Sequence, residues 1–86
     1  MANHKSAIKR ARQAITRTNR NKALSSNLRT TVRKFREIVE QGDKEKAIEA
    51  LKVTTQTIRK AASKGILHSR AASRRISRLS KATNAL

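Results

Sequence analysis

The sequence contains no cysteine, proline, tryptophan or tyrosine, and its only aromatic residue is Phe35. Without cysteine there is no disulfide framework and no zinc site with thiolate ligands, so nothing in the chain points to an oxidising compartment. A single aromatic residue excludes a large core anchored by aromatic side chains. Leucine, isoleucine, valine and phenylalanine make up about a fifth of the chain, close to the composition at which highly charged chains become disordered. We therefore expect one small domain with a minimal core.

Long apolar runs are also missing. The N-terminus is basic and polar, without the apolar stretch of a secretory signal, and no segment approaches the length needed to span a membrane. We expect a soluble cytoplasmic protein with no membrane partner. His4 and His68 are the only candidates for metal binding or acid–base chemistry, and they lie far apart without paired carboxylates nearby. We therefore expect no metal, no cofactor, no small-molecule substrate and no enzymatic activity.

Basic residues are abundant, whereas acidic residues are few. The chain has 22 lysines and arginines against 5 aspartates and glutamates, which gives a formal net charge of +17. All five acids lie between Glu37 and Glu49, so the charge is +11 over residues 1–36, −3 over 37–49 and +9 over 50–86. A chain that used charge only for solubility would mix the two signs along its length. Two long acid-free segments instead indicate a polyanion as the binding partner.

Two glycines divide the chain into three segments with helical periodicity. Gly42 and Gly65 each follow such a segment, as expected of residues that end a helix, and Asp43 is a suitable N-cap for the next one. The third segment could begin at His68 or Ser69. Because no stretch alternates as a β-strand does, we predict an all-α fold, a three-helix bundle that forms a single domain over residues 1–86. The predicted helices span about 4–41, 43–63 and 69–84.

Apolar stripes identify the inward face of each predicted helix. In the first helix the stripe occupies only the second half, because Ile8, Ala11 and Ile15 lie roughly 120–180° around the helix from it. A second helix of about 20 residues spans roughly 30 Å, so from Gly42 it reaches back only to about residue 22. We therefore predict that the first half of this helix projects beyond the bundle. The three stripes are Leu24, Leu28, Thr31, Val32, Phe35, Ile38 and Val39; Ile48, Leu51, Thr55, Ile58 and Ala62; and Ala72, Ile76, Leu79, Thr83 and Leu86.

Two features of the predicted interior have a simple structural interpretation. The neighbouring Thr54 and Thr55 lie on the inward side of the second helix, where we expect their hydroxyls to bond back to helix carbonyls. Phe35 is in register with Leu28 and Val32, so we expect it to fill the core and not to stack on bases.

Basic side chains occupy the remaining faces. The projecting half of the first helix carries one broad basic face, and the third helix carries another opposite its apolar stripe. Like charges three or four residues apart repel each other, and a lone helix is marginal in water, so bound phosphates would replace repulsion by attraction. We expect the projecting half to become a stable helix mainly on a nucleic acid. The candidate RNA-binding residues are Lys5, Lys9, Arg10, Arg12, Arg17, Arg20, Lys22, Arg29, Arg33, Arg70, Arg74, Arg75, Arg78 and Lys81.

Phosphate contacts alone do not distinguish DNA from RNA. Helical proteins that read DNA usually place a short recognition helix after a tight turn, whereas this chain offers one long helix that is basic along its length. That arrangement favours bridging several segments of a folded RNA. An architectural protein that compacts DNA is the alternative. A membrane-surface helix is a weaker third interpretation, since the projecting half has only alanine and isoleucine as apolar residues.

Short motifs in a fixed order along the chain resemble those of one known family. The opening MANHKSAIKR resembles the family start MANxKSAxKR, and the hinge GDKEKAIEAL, the stretch AASKGILH and the later SRL and NAL also match. On these motifs the chain resembles, from end to end, the bacterial small-subunit ribosomal protein S20 family. The resemblance implies a three-helix ribosomal protein that binds 16S ribosomal RNA directly, at the 5′ domain and the long penultimate stem, among other small-subunit components. It also implies a role in assembly and not in catalysis.

Overall fold

The computed structural model describes residues 3–86, which form three α-helices. α1 spans Asn3–Gln41, α2 spans Lys44–Ser63 and α3 spans Ser69–Asn84. The predicted boundaries differ from these by no more than one residue. Residues 3–86 contain no strand, and the all-α prediction is confirmed. Met1 and Ala2, the first two positions of the predicted domain, lie outside the described residues.

The ends of α1 and α2 depend on glycine. Gly42 and Gly65 have φ angles of 75° and 79°, in the left-handed region that glycine adopts without a steric penalty. After α2, the N–H of Gly65 donates to the carbonyl of Ala62, and the N–H of Ile66 donates to the carbonyl of Ala61. These paired bonds form a Schellman motif, which satisfies carbonyls that the helix end leaves free. Both glycines therefore end helices as predicted.

Side chains cap the N-termini of α2 and α3. The Asp43 carboxylate accepts a hydrogen bond from the backbone N–H of Lys46 at 3.1 Å. The imidazole Nδ1 of His68 accepts one from the backbone N–H of Arg70, also at 3.1 Å. Each side chain satisfies an N–H group that the first turn of a helix cannot bond internally. The Asp43 cap is confirmed, and of the two candidates for the start of α3, His68 is the N-cap.

The core lies around α2, which packs against both α1 and α3. Each helix contributes to one cluster of buried apolar side chains, and half-buried valine, leucine and isoleucine side chains surround it. Phe35 has no exposed surface and is the largest of the fully buried side chains, so its predicted role in the core is confirmed. The cluster consists of Leu28, Phe35, Ile58, Ala61, Ala72 and Leu79.

Two threonines are buried beside the apolar cluster. The Thr54 hydroxyl donates to the carbonyl of Ala50 at 2.7 Å, and the Thr83 hydroxyl donates to the carbonyl of Leu79 at 3.0 Å. Both bonds satisfy hydroxyl groups that would be costly to bury without a partner. The prediction for the threonine pair of α2 is confirmed for Thr54, whereas Thr55 is half-buried.

Two residues of the predicted stripes lie outside the core. Ile48 is 41% exposed, while its neighbour Ala47 is fully buried. The reason is that α2 faces two helices at once, which centres its buried face one residue, about 100°, around the helix from Ile48. Leu86 is 39% exposed, because α3 ends at Asn84 and the last residue lies past the packed part of the helix. The prediction was wrong for both side chains.

The first half of α1 projects beyond the bundle, as predicted. Every residue from His4 to Arg20 is exposed, and Asn21 is the first that is half-buried. The molecule measures 63 × 21 × 14 Å. Its radius of gyration is 17.6 Å, against about 12 Å for a compact domain of this length. We call residues 4–20 the arm.

Replacing Leu79 by alanine should destabilise the fold by about 2–5 kcal/mol, because truncation of this buried side chain leaves a cavity in the cluster. Urea denaturation followed by circular dichroism would measure the loss. The matched control is Ile15→Ala on the arm, where the side chain is 63% exposed and the change should stay within about 0.5 kcal/mol. Equal stabilities for the two variants would contradict the assignment of the core.

Amide hydrogens of residues 8–20 should exchange rapidly in the free protein and become protected when RNA is bound. The arm has no tertiary contacts to hold it, and its like charges oppose an isolated helix. Residues 28–39, 48–62 and 72–80 should exchange more slowly, because opening them disrupts the core. Hydrogen exchange with mass spectrometry would compare both states. Protection of the free arm equal to that of the middle of α2 would disprove the arm's independence.

Candidate nucleic-acid interface

All fourteen basic residues predicted to bind RNA are exposed. Nine of them lie on α1, between Lys5 and Arg33, and five lie on α3, between Arg70 and Lys81. Long aliphatic stems allow such side chains to hold their charged groups in water or against a ligand. The charges are therefore available at the surface of both helices.

Intramolecular ion pairs do not neutralise these residues. Within residues 3–86 the one ion pair joins the Lys46 ammonium group to the Asp43 carboxylate at 4.0 Å, and it lies at the start of α2. The acidic residues are confined to positions 37–49, whereas the arm contains none. Exposed cations without carboxylate partners repel one another, and bound phosphates relieve that repulsion while releasing counterions.

The arm presents one continuous basic face. Helical spacing places Lys9, Arg12, Arg17 and Arg20 beside one another, and with Gln13 and Thr16 they line a shallow groove of about 470 Å³. The Thr16 hydroxyl donates to the carbonyl of Arg12 at 3.0 Å and stays close to the helix. The middle of the groove is thus open to a ligand. The structure places Arg17 within this face, whereas the helical projection predicts it at the edge.

A second basic surface lies where α3 runs beside α1. A groove of about 390 Å³ is lined by Arg29, Val32, Arg33 and Arg36 of α1 and by Arg75 of α3. The structure therefore brings three predicted residues together with Arg36, which is not among those predicted. The spacing of positions 29, 33 and 36 is the signal in the sequence, because it puts the three arginines on one face of α1. Only the packing of α3 shows that this face borders a groove.

A separate hollow lies next to this groove, towards the C-terminus of α1. It has a volume of about 330 Å³, and Arg36 lines both cavities, so the two are neighbours between α1 and α3; together we call them the trough. We call the first part the basic half and the second the apolar half of the trough. The apolar half is lined by Phe35, Arg36, Val39, Glu40, Arg78, Leu79 and Ala82.

The remaining predicted residues do not join these grooves. They are exposed on the outer surfaces of the two helices, where they could contact a ligand individually. On α3 the outward face opposite Leu79 agrees with the predicted orientation. These residues are Lys5, Arg10, Lys22, Arg70, Arg74 and Lys81.

The two histidines lie in different parts of the fold. His68 caps α3, and His4 is exposed on the arm. Among residues 3–86, no three histidine, cysteine, aspartate or glutamate side chains come together in a way that could hold a metal ion. Over the same residues, every helix is either too short or too polar to traverse a lipid bilayer.

Known proteins similar to this chain share its full length. The small ribosomal subunit protein bS20 of Geobacter metallireducens is 51% identical over 86 residues, covering 100% of this chain and 99% of the relative. The protein of the same name from Citrifermentans bemidjiense is 52% identical with the same coverage. That from Desulfovibrio desulfuricans is 45% identical, covering 100% of this chain and 97% of the relative.

A family profile also matches this chain. The profile described as "Ribosomal protein S20" matches residues 2–84, almost the whole chain. This match confirms the resemblance found in the sequence motifs, and a family of ribosomal proteins agrees with the prediction of a non-enzymatic protein. The chain belongs to the ribosomal protein S20 family.

Proposed function

We propose that this protein is a structural constituent of the small ribosomal subunit, located in the cytoplasm, that binds 16S ribosomal RNA directly and stabilises its folding during assembly. Membership of the family and the names of its relatives support the ribosomal role. The direct contact with RNA is supported by the charge distribution on this chain. Its RNA-binding residues are the fourteen predicted basic residues together with Arg36.

The observation that carries the proposal is the exposed arm. Residues 4–20 pack against nothing in the described chain. They contain six lysines and arginines and no acidic residue. A helix of this kind is a poor element for the stability of a free protein, because its charges repel and its apolar groups stay in water. It is well suited to contacts with phosphates on a folded RNA.

The two grooves indicate contacts with more than one RNA segment. The arm groove runs from Lys9 to Arg20, and the α1 arginines of the basic half of the trough lie about 160° around α1 from it. One RNA helix cannot reach both sides of α1 along a straight path. The protein therefore bridges separate segments, which agrees with the 5′ domain and the long penultimate stem as its two targets in 16S RNA, next to other small-subunit components.

A pull-down of the tagged protein with nuclease treatment tests the class of nucleic acid. Ribonuclease should release the bound partners, whereas deoxyribonuclease should leave them in place. Cross-linking followed by identification of the linked nucleotides should then locate the contacts in 16S RNA. Release by deoxyribonuclease alone would overturn the proposal in favour of an architectural DNA-binding protein.

Affinity for RNA should fall steeply with salt concentration. If six to ten phosphates are contacted, the logarithm of the affinity should decrease against the logarithm of the salt concentration with a slope of roughly −4 to −9. Filter binding of a 16S RNA transcript over a range of potassium chloride concentrations would measure the slope. A slope near −1 would contradict a phosphate-based interface and would indicate a small apolar contact instead.

The double variant Arg74→Ala, Arg78→Ala should weaken RNA binding while leaving the melting temperature of the free protein nearly unchanged. Both side chains are exposed on α3, so they contribute little to packing. If each contacts a phosphate, the salt slope should become shallower by about 2.

The matched control for that variant removes two positive charges from α2. Lys44→Ala with Lys52→Ala lowers the net charge equally, on a helix outside both grooves, and should have a much smaller effect on binding. Equal losses in the two double variants would show that only the net charge matters. Unfolding of the arginine variant would contradict the assigned outward face of α3.

A further inference from the structure

The two halves of the trough between α1 and α3 differ in their chemistry. The basic half is lined by four arginines and one valine, and none of its lining residues is acidic. The apolar half contains most of the apolar lining and one carboxylate, that of Glu40. Arg36 lies where the halves meet. A ligand that fills the whole trough must therefore be anionic at one end and flat or apolar at the other.

The basic half suits a phosphate group. Arginine presents several N–H donors in a planar arrangement that matches phosphate oxygens, and it keeps its charge at any physiological pH. Arg29, Arg33 and Arg36 converge from successive turns of α1, while Arg75 approaches from α3. No carboxylate within residues 3–86 forms an ion pair with them. Their donors are therefore free for an anion.

The apolar half suits the face of a nucleobase. Val39 and Ala82 are half-buried and Leu79 is nearly buried, and together they form an apolar floor above the fully buried Phe35. Arg36 and Arg78 lie at the rims, where a guanidinium plane can stack on the open face of a base. The floor removes one face of the base from water, which makes this half a site for an unpaired base.

Glu40 gives the apolar half a preference for a base that carries a hydrogen-bond donor. Its side chain is exposed, and within residues 3–86 it forms no ion pair with the arginines that share the hollow. A carboxylate accepts a hydrogen bond from the amino group of cytosine but repels the carbonyl oxygen that uracil carries at the same position. The trough should therefore distinguish two pyrimidines of equal size.

The length of the trough matches the length of one nucleotide. From Arg33 in the basic half to Glu40 in the apolar half, α1 advances seven residues, or about 10 Å. This distance is comparable to the reach of a single nucleotide from its phosphate to the far edge of its base. One nucleotide can thus contact both halves at once.

We propose that the trough holds one unpaired nucleotide, with its phosphate among Arg29, Arg33, Arg36 and Arg75 and its base on the apolar floor beside Glu40, where cytosine is preferred to uracil. The inference rests on the proposed function, because it adds base recognition to an interface otherwise built from phosphate contacts. Phe35 is the only aromatic residue and is buried, so aromatic stacking elsewhere on the chain cannot produce the same preference.

Three oligoribonucleotides with equal numbers of phosphates test the proposal on the full chain: twelve-nucleotide oligocytidylate, the corresponding oligouridylate, and an abasic ribose-phosphate strand of the same length. Fluorescence anisotropy would measure their affinities. Oligocytidylate should bind about fivefold or more tightly than the abasic strand, the lower end of what stacking one base contributes. It should also bind about threefold or more tightly than oligouridylate, because of the hydrogen bond to the carboxylate.

Two variants should remove the differences in affinity among the three strands without removing phosphate binding. Ala82→Phe fills the apolar half and should equalise the intact and abasic strands, whereas Val53→Phe places the same ring at a position on α2 that is 58% exposed and should not. Glu40→Gln keeps the shape of the site but offers both a donor and an acceptor, so oligocytidylate should lose its advantage over oligouridylate. Circular dichroism would verify that each variant is folded. If Ala82→Phe is unfolded, Glu40→Gln still tests the site.

Competition with free cytidine monophosphate distinguishes the source of the nucleotide. Displacement of oligocytidylate at millimolar concentrations would mean that a free nucleotide suffices, and persistence of the complex would mean that a strand is needed; both outcomes support the trough. Equal affinities for all three strands, with the steep salt dependence retained, would overturn the trough and leave the proposed function intact. Loss of RNA binding altogether would instead contradict the proposed function.

Discussion

The difference in length between α1 and α2 is the constraint on which the rest of the structure depends. α1 has 39 residues and α2 has 20, so an antiparallel α2 that begins just after Gly42 can cover only about half of α1. The apolar stripe of α1 stops where that cover stops, and Asn21 is the first residue of the long helix with partial burial. Everything before it faces water on all sides. Large apolar side chains placed there stay exposed, as Ile8 and Ile15 do, and the rest of the arm consists of lysine, arginine, alanine and polar residues.

The small core and the uneven distribution of charge both limit the stability of the free protein. The buried apolar residues include three alanines, so little apolar surface offsets the repulsion within a chain of net charge +17. The acids that could have balanced this charge are gathered around the α1–α2 turn, where Asp43 also caps α2. The arm and the trough are left without carboxylate partners, apart from Glu40 at the far end of the trough. This distribution of charge lowers the stability of the free protein and leaves its basic side chains available for the RNA contacts proposed above.

Features set by one helix at a time could be predicted from the sequence. Gly42 and Asp43 marked a turn through their conformational and capping preferences, and helix length predicted the arm. Features set by the fit between helices could not. The choice of Ala47 over Ile48 for the interior depends on where α1 and α3 contact α2, and Arg36 borders a groove only because α3 lies beside it. Periodicity gives the angle of a residue on its own helix, but it does not give the angle at which the next helix arrives.

The central position of α2 has a consequence for how the chain folds. The main interfaces are α1 with α2 and α2 with α3, so the helices that pack most closely are neighbours in the sequence. Such a topology has a low contact order, and helical proteins of this kind fold in microseconds to milliseconds because little loop-closure entropy opposes their contacts. During synthesis α1 emerges first, but its apolar stripe finds no partner until α2 has followed. A nascent chain therefore displays its basic arm to the surroundings before it has any tertiary structure, and its first encounter with a polyanion can precede the completion of its own core.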